Sequence, residues 1–445
     1  MPKSSFALSE YAVGVRRKVG LAKLTIRGER RLQGTVRVGG RKNSALPLIA
    51  ATLLADGSSR LENVPRIHDV STYREILQGL GARVDWDPVH GRVTVHTGGV
   101  SPREVSYHLA TAMRASYYLL GVLLARYGQA DIPLPGGDRI GQRPVDQHFK
   151  GLSALGAEVW IDRGIMRARA DRLKGTTIYL DVVSVGATIQ IMLAASLAKG
   201  TTVIQNCARE PHVIDVANFV NAAGGHIVGA GTDTIRVEGV ERLVGPTHQI
   251  IPDDIEAGTW MIAALATRGD ITLENVISSH VTPIIAKLRE AGAEILEGAD
   301  TLRVIARERP RAITVKTHPY PGFPTDAQSQ MTAMLATATG TSYVTETLYD
   351  DRFRFAADLT RMGARLRVEG RTAIVEGVPS LYGAPVEATD IRAGAALILA
   401  GLGAAGETTV YGLEHVERGY ERLEQKLLGL GADILVGDRQ GTAVC

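Results

Sequence analysis

Leu80-Gly81-Ala82-Arg83-Val84 is a small-residue stop followed by an alternating stretch, and the chain repeats it five more times. The copies are Leu155-Gly156-Ala157-Glu158-Val159, Ala223-Gly224-Gly225-His226-Ile227, Ala291-Gly292-Ala293-Glu294-Ile295, Met362-Gly363-Ala364-Arg365-Leu366 and Leu430-Gly431-Ala432-Asp433-Ile434. In each, the first glycine stands where a helix ends in the left-handed region, and the residues after it alternate as a half-buried strand does. A second set marks another helix end and strand start: Gly57-Ser58-Ser59-Arg60-Leu61, Gly128-Gln129-Ala130-Asp131-Ile132, Gly200-Thr201-Thr202-Val203-Ile204, Gly269-Asp270-Ile271-Thr272-Leu273, Gly340-Thr341-Ser342-Tyr343-Val344 and Gly406-Glu407-Thr408-Thr409-Val410. Both sets run at roughly 70 residues per copy, longer than the usual solenoid periods, so each unit holds two helices and several strands. Six such α/β units bury helices against small sheets and divide naturally between two domains.

Apolar helices rich in alanine and glycine recur inside the units, over Leu46 to Leu54, Met113 to Ala125, Ala187 to Ala198, Thr259 to Ala266, Ser329 to Thr337 and Ala393 to Leu402. Small side chains let helices pack closely, so these segments are the expected core. At 445 residues the chain exceeds one ordinary core. A net charge of only +3 and an aromatic share of 5% argue against a nucleic-acid surface, which needs a basic stripe or stacking rings. The two cysteines, Cys207 and Cys445, have no pairing or CxxC spacing, so neither a disulfide framework nor a metal or redox motif is expected. That pattern favours a reducing, cytoplasmic compartment, with Cys207 as a small buried residue. No apolar run reaches the ~18 residues of a membrane span. Residues 1–20 carry Arg16, Arg17 and Lys18 with no apolar segment ahead of them, unlike a secretory signal, and read as a poorly ordered extension.

One stretch stands outside the repeat. Leu134-Pro135-Gly136-Gly137-Asp138-Arg139-Ile140-Gly141-Gln142-Arg143-Pro144-Val145-Asp146 has the prolines and glycines of an exposed, partly mobile loop. It carries an acid in Asp138, two guanidinium groups in Arg139 and Arg143, and glycine amides able to form an anion nest. A plain Gly-Pro turn with solvated charges competes evenly with that functional reading. Other polar clusters interrupt the apolar helices at matching places. Lys42 and Asn43 fall at a helix start, where free amides favour an anion. Arg114, Asp326, Arg392 and Arg418 mark further unit starts and turns; Asp326 taken alone reads as a helix N-cap.

The motifs Arg-Lys-Asn-Ser-Ala-Leu-Pro, Met-Arg-Ala-Ser, Leu-Pro-Gly-Gly, Arg-Pro-Val-Asp, Ser-Val-Gly-Ala-Thr, Phe-Pro-Thr-Asp and Arg-Gly-Tyr-Glu-Arg in combination resemble the enolpyruvyl transferases, from about Leu24 to Gly437. The resemblance is to the branch that takes a nucleotide sugar as acceptor. It implies a two-domain inside-out α/β barrel of six βαβαββ units, three per domain. The implied boundaries are an extension over 1–20, a first domain over 21–41 and 251–445, and a second over 42–250 carrying the loop. It also implies transfer of the enolpyruvyl group of phosphoenolpyruvate to the 3′-hydroxyl of UDP-N-acetylglucosamine through a tetrahedral ketal, with no cofactor and no metal, in peptidoglycan precursor synthesis.

By residue-to-residue matching, Lys42, Arg143, Arg392 and Arg418 hold phosphoenolpyruvate. Asn43, Arg114, Arg143, Pro144, Val145, Asp146, Gln147, His148, Ser184, Val185, Gly186, Asp326 and Leu348 contact the nucleotide sugar. Asp326 orients or deprotonates the hydroxyl, and the loop tip supplies a proton to the methylene carbon. Most members have cysteine after Leu-Pro-Gly-Gly, whereas this chain has Asp138. The resemblance therefore implies an aspartic proton donor and insensitivity to fosfomycin, an epoxide that alkylates the cysteine. Val182, His212 and Asp350-Asp351-Arg352 are further departures from the common pattern. Competing readings are a paralogue with another acceptor and a nucleotide-sugar-binding pseudoenzyme.

Overall fold

The computed structural model describes residues 23–138 and 140–437. The N-terminal extension, Arg139 and Cys445 lie outside the described residues. Each repeat becomes one small sheet with two helices. The unit at residues 177–238 shows the pattern whole: strand Thr177–Tyr179, helix Val185–Ala195, strand Thr201–Gln205, helix Pro211–Ala222, and strands His226–Val228 and Thr234–Glu238. The first two strands run parallel and the rest antiparallel, giving the βαβαββ order.

Two units are completed by strands from distant sequence. Gln33–Arg37 runs parallel to Asp270–Glu274, and Lys23–Arg27 lies antiparallel between Glu407–Tyr411 and Asp433–Gly437. The N-terminal strands thus close one unit and open another. Thr247–Gln249 does the same for the 42–250 segment by pairing parallel with Ser58–Glu62. One sheet has three strands instead of four, Gln129–Pro133, Ile165–Arg169 and Glu158–Asp162. The place of its leading strand is irregular chain around Pro102, which has no amide for a ladder; Val105 alone donates to the Asp131 carbonyl, at 3.3 Å.

All six motif glycines take positive φ, from 84° at Gly431 to 108° at Gly292. Gly269 departs from its set. There the left-handed residue is Arg268, at φ 51°, and Gly269 is needed for space, because a Cβ would stand 2.3 Å from the Leu32 carbonyl oxygen.

The apolar helices are α1 (Lys42–Ala51), α2 (Tyr118–Tyr127), α3 (Val185–Ala195), α4 (Asp254–Ala266), α5 (Gln328–Leu335) and α6 (Ile391–Gly403). α4, α5 and α6 pack on one another, as α2 does on α1 and α3. Buried apolar residues form two separate clusters. One joins Leu24–Val38 to residues from Ala257 to Ala432, the other runs from Ala45 to Ile250. Two chain connections cross between them side by side. The Arg41 amide donates to the Ile251 carbonyl at 2.8 Å and the Asp253 amide to the Gly39 carbonyl at 2.9 Å.

α1 has no side-chain cap of its own. Asp253, from the second connection, accepts from the Lys42 amide at 3.0 Å while its other oxygen caps α4 through the Ile255 and Glu256 amides. One carboxylate therefore ties both helix starts to the crossing point. Among the described residues no helix is long and apolar enough to cross a membrane.

Candidate active site

A cavity of about 460 Å³ lies at the seam, lined from both core clusters. Helix starts point their first residues into it: Lys42 and Asn43 from α1, Ser184, Val185 and Gly186 at α3, Asp254 and Ile255 from α4, and Ile391 and Arg392 from α6. Of the residues named from the sequence for this site, Val145 alone does not line it. It precedes the helix Asp146–Ala154, and its apolar side chain packs on the 45–250 core. Any contact Val145 makes with a nucleotide sugar is therefore one for its backbone, since its side chain packs on the core. Asn43, Arg114, Arg143, Pro144, Asp146, Gln147, His148, Leu348, Asp326, Arg392, Arg418 and Asp138 all face the space.

The loop is less exposed than its composition implies. Pro135 to Asp138 are half-buried and Ile140 is buried, because Gly136 and Gly137 let the backbone lie against Thr111 and Arg114. A Cβ on Gly136 would stand 1.9 Å from the Thr111 carbonyl oxygen. The loop also reaches the opposite cluster. The Asp351 amide donates to the Ile140 carbonyl at 3.4 Å, and the Arg143 guanidinium lies 5.7 Å from the Tyr349 ring centre.

Two carboxylate seats dominate the electrostatics. The first is Asp326, in the turn Thr325–Ala327 ahead of α5. It does not cap that helix. Arg352 donates to one oxygen, and Arg392 Nη2 to the other at 2.9 Å. Both arginine side chains are nearly inaccessible, at 2% and 7%, while Asp326 keeps 26% of its surface toward the cavity. Burial alone would raise its pKa, but the Arg392 and Arg352 charges outweigh that and hold it well below the usual carboxylate range. Arg392 is fixed in turn by the Tyr420 hydroxyl at 3.3 Å, and that hydroxyl is bridged to Thr259 and to Gln330 of α5. Asp390 caps α6 through the Arg392 and Ala393 amides.

The second seat gathers Lys42, Asp69, Asp138 and Arg418. Asp69, in the first turn of the helix His68–Gly79, accepts from Arg418 Nε at 2.9 Å and pairs with Lys42 Nζ at 2.9 Å. Burial would raise the Asp69 pKa, but Lys42 and Arg418 prevail and lower it. The remaining Arg418 donor, Nη1, reaches Asp138 Oδ1 at 2.5 Å. Lys42, Asp69 and Asp138 come from the 42–250 segment and Arg418 from beyond it, so this cluster bridges the seam.

Toward Ser184 the wall changes character. His148 is buried against the Tyr117 ring and hydrogen bonded to Gln190 of α3, and burial pushes its pKa down to about 4. A Cβ on Gly186 would stand 2.4 Å from the Tyr117 hydroxyl, so glycine keeps the start of α3 open there. Arg114 spans this wall, donating to the Arg143 carbonyl with its guanidinium 5.4 Å from the Tyr117 ring centre. Near the crossing connections Arg41 and Asp254 form a buried pair, and burial pushes Asp254 up to about 6 against the pull of Arg41. His212 and His280 line the same end, both with lowered pKa values because burial disfavours their charged forms.

The sequence reading missed Asp69 and gave Arg352 no role. An acid in a first helical turn reads as a dipole complement, and nothing local shows that Asp69 faces two distant cations. Asp350-Asp351-Arg352 registers only as a departure from a family pattern. Cys207 is buried, donates to the Ile204 carbonyl, and has its pKa pushed up to about 12 by burial. It is an inert thiol away from the cavity lining.

The profile of the EPSP synthase (3-phosphoshikimate 1-carboxyvinyltransferase) family matches residues 26–427. UDP-N-acetylglucosamine 1-carboxyvinyltransferase 3 of Symbiobacterium thermophilum is 75% identical over 95% of this chain and 99% of its own length. UDP-N-acetylglucosamine 1-carboxyvinyltransferase 2 of Carboxydothermus hydrogenoformans is 52% identical over 93% of this chain and 99% of its own. Among solved structures, the enolpyruvyl transferase NikO from Streptomyces tendae superposes with a TM-score of 0.84 at 28% identity, covering 93% of this chain and 98% of that one. EPSP synthase from Acinetobacter baumannii shares the fold at a TM-score of 0.72 and 21% identity, over 94% of this chain and 100% of its own. The chain belongs to the enolpyruvyl transferase family, the family of the EPSP synthases and the UDP-N-acetylglucosamine 1-carboxyvinyltransferases.

Proposed function

We propose that this chain transfers the enolpyruvyl group of phosphoenolpyruvate to the 3′-hydroxyl of UDP-N-acetylglucosamine, releasing phosphate, with Asp138 as the proton donor. The observation that carries the reading is the convergence on one cavity of Lys42 and Arg418, from opposite sides of the seam, with a carboxyl at a glycine-flanked loop tip. A three-carbon substrate bearing both phosphate and carboxylate needs several fixed cations at once, and arginine supplies direction as well as charge. Lys42, Arg143, Arg392 and Arg418 are assigned to it. Asn43, Arg114, Pro144, Asp146, Gln147, His148, Ser184, Val185, Gly186 and Leu348 are assigned to the nucleotide sugar.

In the first step the Asp138 O–H bond breaks and its proton joins the methylene carbon, using the π pair of the enol. The acceptor oxygen bonds the neighbouring carbon, and its own proton passes toward Asp326, which orients the hydroxyl by accepting from it. In the second step the new methyl group returns a proton to the Asp138 carboxylate, the freed C–H pair restores the double bond, and phosphate departs, taking up the proton held at Asp326. Asp326 is ionised between its two arginines before the step, so it is available as an acceptor. Its low basicity suits it to take the proton late, as the C–O bond forms.

Two domains follow the two core clusters, with boundaries at 21–41 plus 251–445 and at 42–250. No cofactor beyond the two substrates enters this scheme, and the setting is the reducing cytoplasm, in peptidoglycan precursor synthesis. Because a carboxylate is a much weaker nucleophile than a thiolate, fosfomycin leaves the enzyme active.

Phosphate release from phosphoenolpyruvate, measured with a panel of acceptors, tests the assignment. UDP-N-acetylglucosamine is expected to support turnover and shikimate 3-phosphate is not. Turnover on a different acceptor overturns the acceptor assignment, and binding of UDP-N-acetylglucosamine with no turnover overturns the enzyme reading in favour of a binding protein.

A further inference from the structure

The cation site proposed for phosphoenolpyruvate is already in contact with an anion from the chain itself. Arg418 has three donor nitrogens. Nε and Nη2 face Asp69, at 2.9 and 3.4 Å, and Nη1 faces Asp138 at 2.5 Å. Lys42 closes the group through Asp69. The side chains of the four residues are between 3% and 15% exposed, so the charges are little screened by solvent. Two carboxylates here face two cations, which leaves the cluster formally neutral.

The two carboxylates are held differently. Asp69 sits on a helix with two cationic partners, whereas Asp138 sits on a loop and, among the described residues, pairs with Arg418. The other charged neighbours of the loop tip are Arg114, against which Gly137 lies, and Arg143 farther along the same loop.

We propose that Asp138 is an internal competitor for the anion site: its carboxylate occupies the outer face of Arg418, and a phosphorylated carboxylate substrate takes that face over, releasing Asp138 to bind a proton. This deepens the reading of Asp138 as proton donor and rests on it for the substrate class. An incoming anion brings at least two negative charges to a neutral cluster, so the ionised form of the loop carboxylate beside it becomes unfavourable. Loss of the Arg418 partner acts in the same direction. The substrate thus charges its own acid: binding and protonation are one linked event. Asp69 remains on Lys42 and Arg418 throughout and holds them in register as a positioning residue.

The test is calorimetric binding of phosphoenolpyruvate alone, without acceptor, in buffers of different ionisation enthalpy at slightly alkaline pH, where the ligand is fully ionised. The wild-type chain is expected to take up about one proton per ligand bound and Asp138→Asn none. Asp138→Asn is expected to bind roughly tenfold more tightly, with Asp138→Ala giving the same gain. The wild-type affinity, relative to Asp138→Asn, should fall by up to about tenfold per pH unit as the pH rises, because the ionised carboxylate competes and ligand ionisation cancels in the ratio. Equal proton uptake in the two proteins, or no gain in affinity in either variant, overturns the proposal. Turnover retained by Asp138→Asn instead overturns the proton-donor reading while leaving the competition measurable in binding.

Discussion

Asp326 and Asp138 are both carboxylates held by arginine in one cavity, and the difference between their settings is what the proposed roles of acceptor and acid rest on. Asp326 is gripped from both sides by buried guanidinium groups that are themselves anchored, Arg392 through Tyr420 and the start of α6. Among the described residues Asp138 has one arginine partner, and its backbone turns on Gly136 and Gly137. A proton donor must exist protonated at some point in its cycle, so it needs a partner it can lose. An orienting acceptor gains from partners it keeps.

The largest effects are expected where that contrast is removed outright. Asp138→Ala should lower kcat by about a thousandfold or more while leaving UDP-N-acetylglucosamine binding intact, and Asp326→Asn should lower it by about a hundredfold or more. Steady-state phosphate release and acceptor titration read both. If either variant turns over near the wild-type rate, the two carboxylates do not divide the chemistry as assigned.

Arg352→Ala sharpens the comparison by leaving Asp326 with Arg392 alone. Breaking a buried pair costs about 3 kcal/mol, so denaturant melts should show a stability loss of that order. The same change raises the Asp326 pKa, so the acid limb of the kcat profile should move to higher pH. An unchanged profile would remove the arginine grip from the account.

Histidines kept neutral by burial give a smaller, graded effect, at the two ends of the cavity. His148 has its pKa lowered from 6.5 to about 4, and so has His280. A depressed folded pKa means that the unfolded chain binds the proton first as acid is added. Stability is unaffected above about pH 6.5 and declines as the pH falls from there toward about 4, by about 3 kcal/mol for His148. His148→Gln should flatten part of that decline in pH-dependent melts. The smallest change is expected from Val145→Ala, which trims an apolar side chain facing the core; the KM for the nucleotide sugar should stay within about twofold, with a stability loss of about 1 kcal/mol.

Much of this was legible in the chain. The six glycine stops predict six helix ends, and all six glycines adopt the left-handed geometry they imply. The apolar segments become the central helices because alanine and glycine allow them to pack so closely. The residues named from the motifs, Val145 apart, line one cavity. What was not legible depends on distance in the sequence. Asp69 and Arg418 are 349 positions apart, and no local pattern shows that they touch. The Asp326 position reads as a cap because Asp after Pro-Thr commonly is one; its two arginines are brought by other units. Val145 is named with its neighbours in the motif, and the sequence does not show that its side chain turns to the core while theirs line the cavity.

Turnover in deuterium oxide addresses the central claim most directly. If Asp138 delivers the proton and the methyl group later loses one, the vinyl carbon of the product gains deuterium, visible by NMR. The account predicts deuterium there with the wild-type chain and none with Asp138→Asn given the same time and substrates. Deuterium entering at the wild-type rate in Asp138→Asn would contradict it.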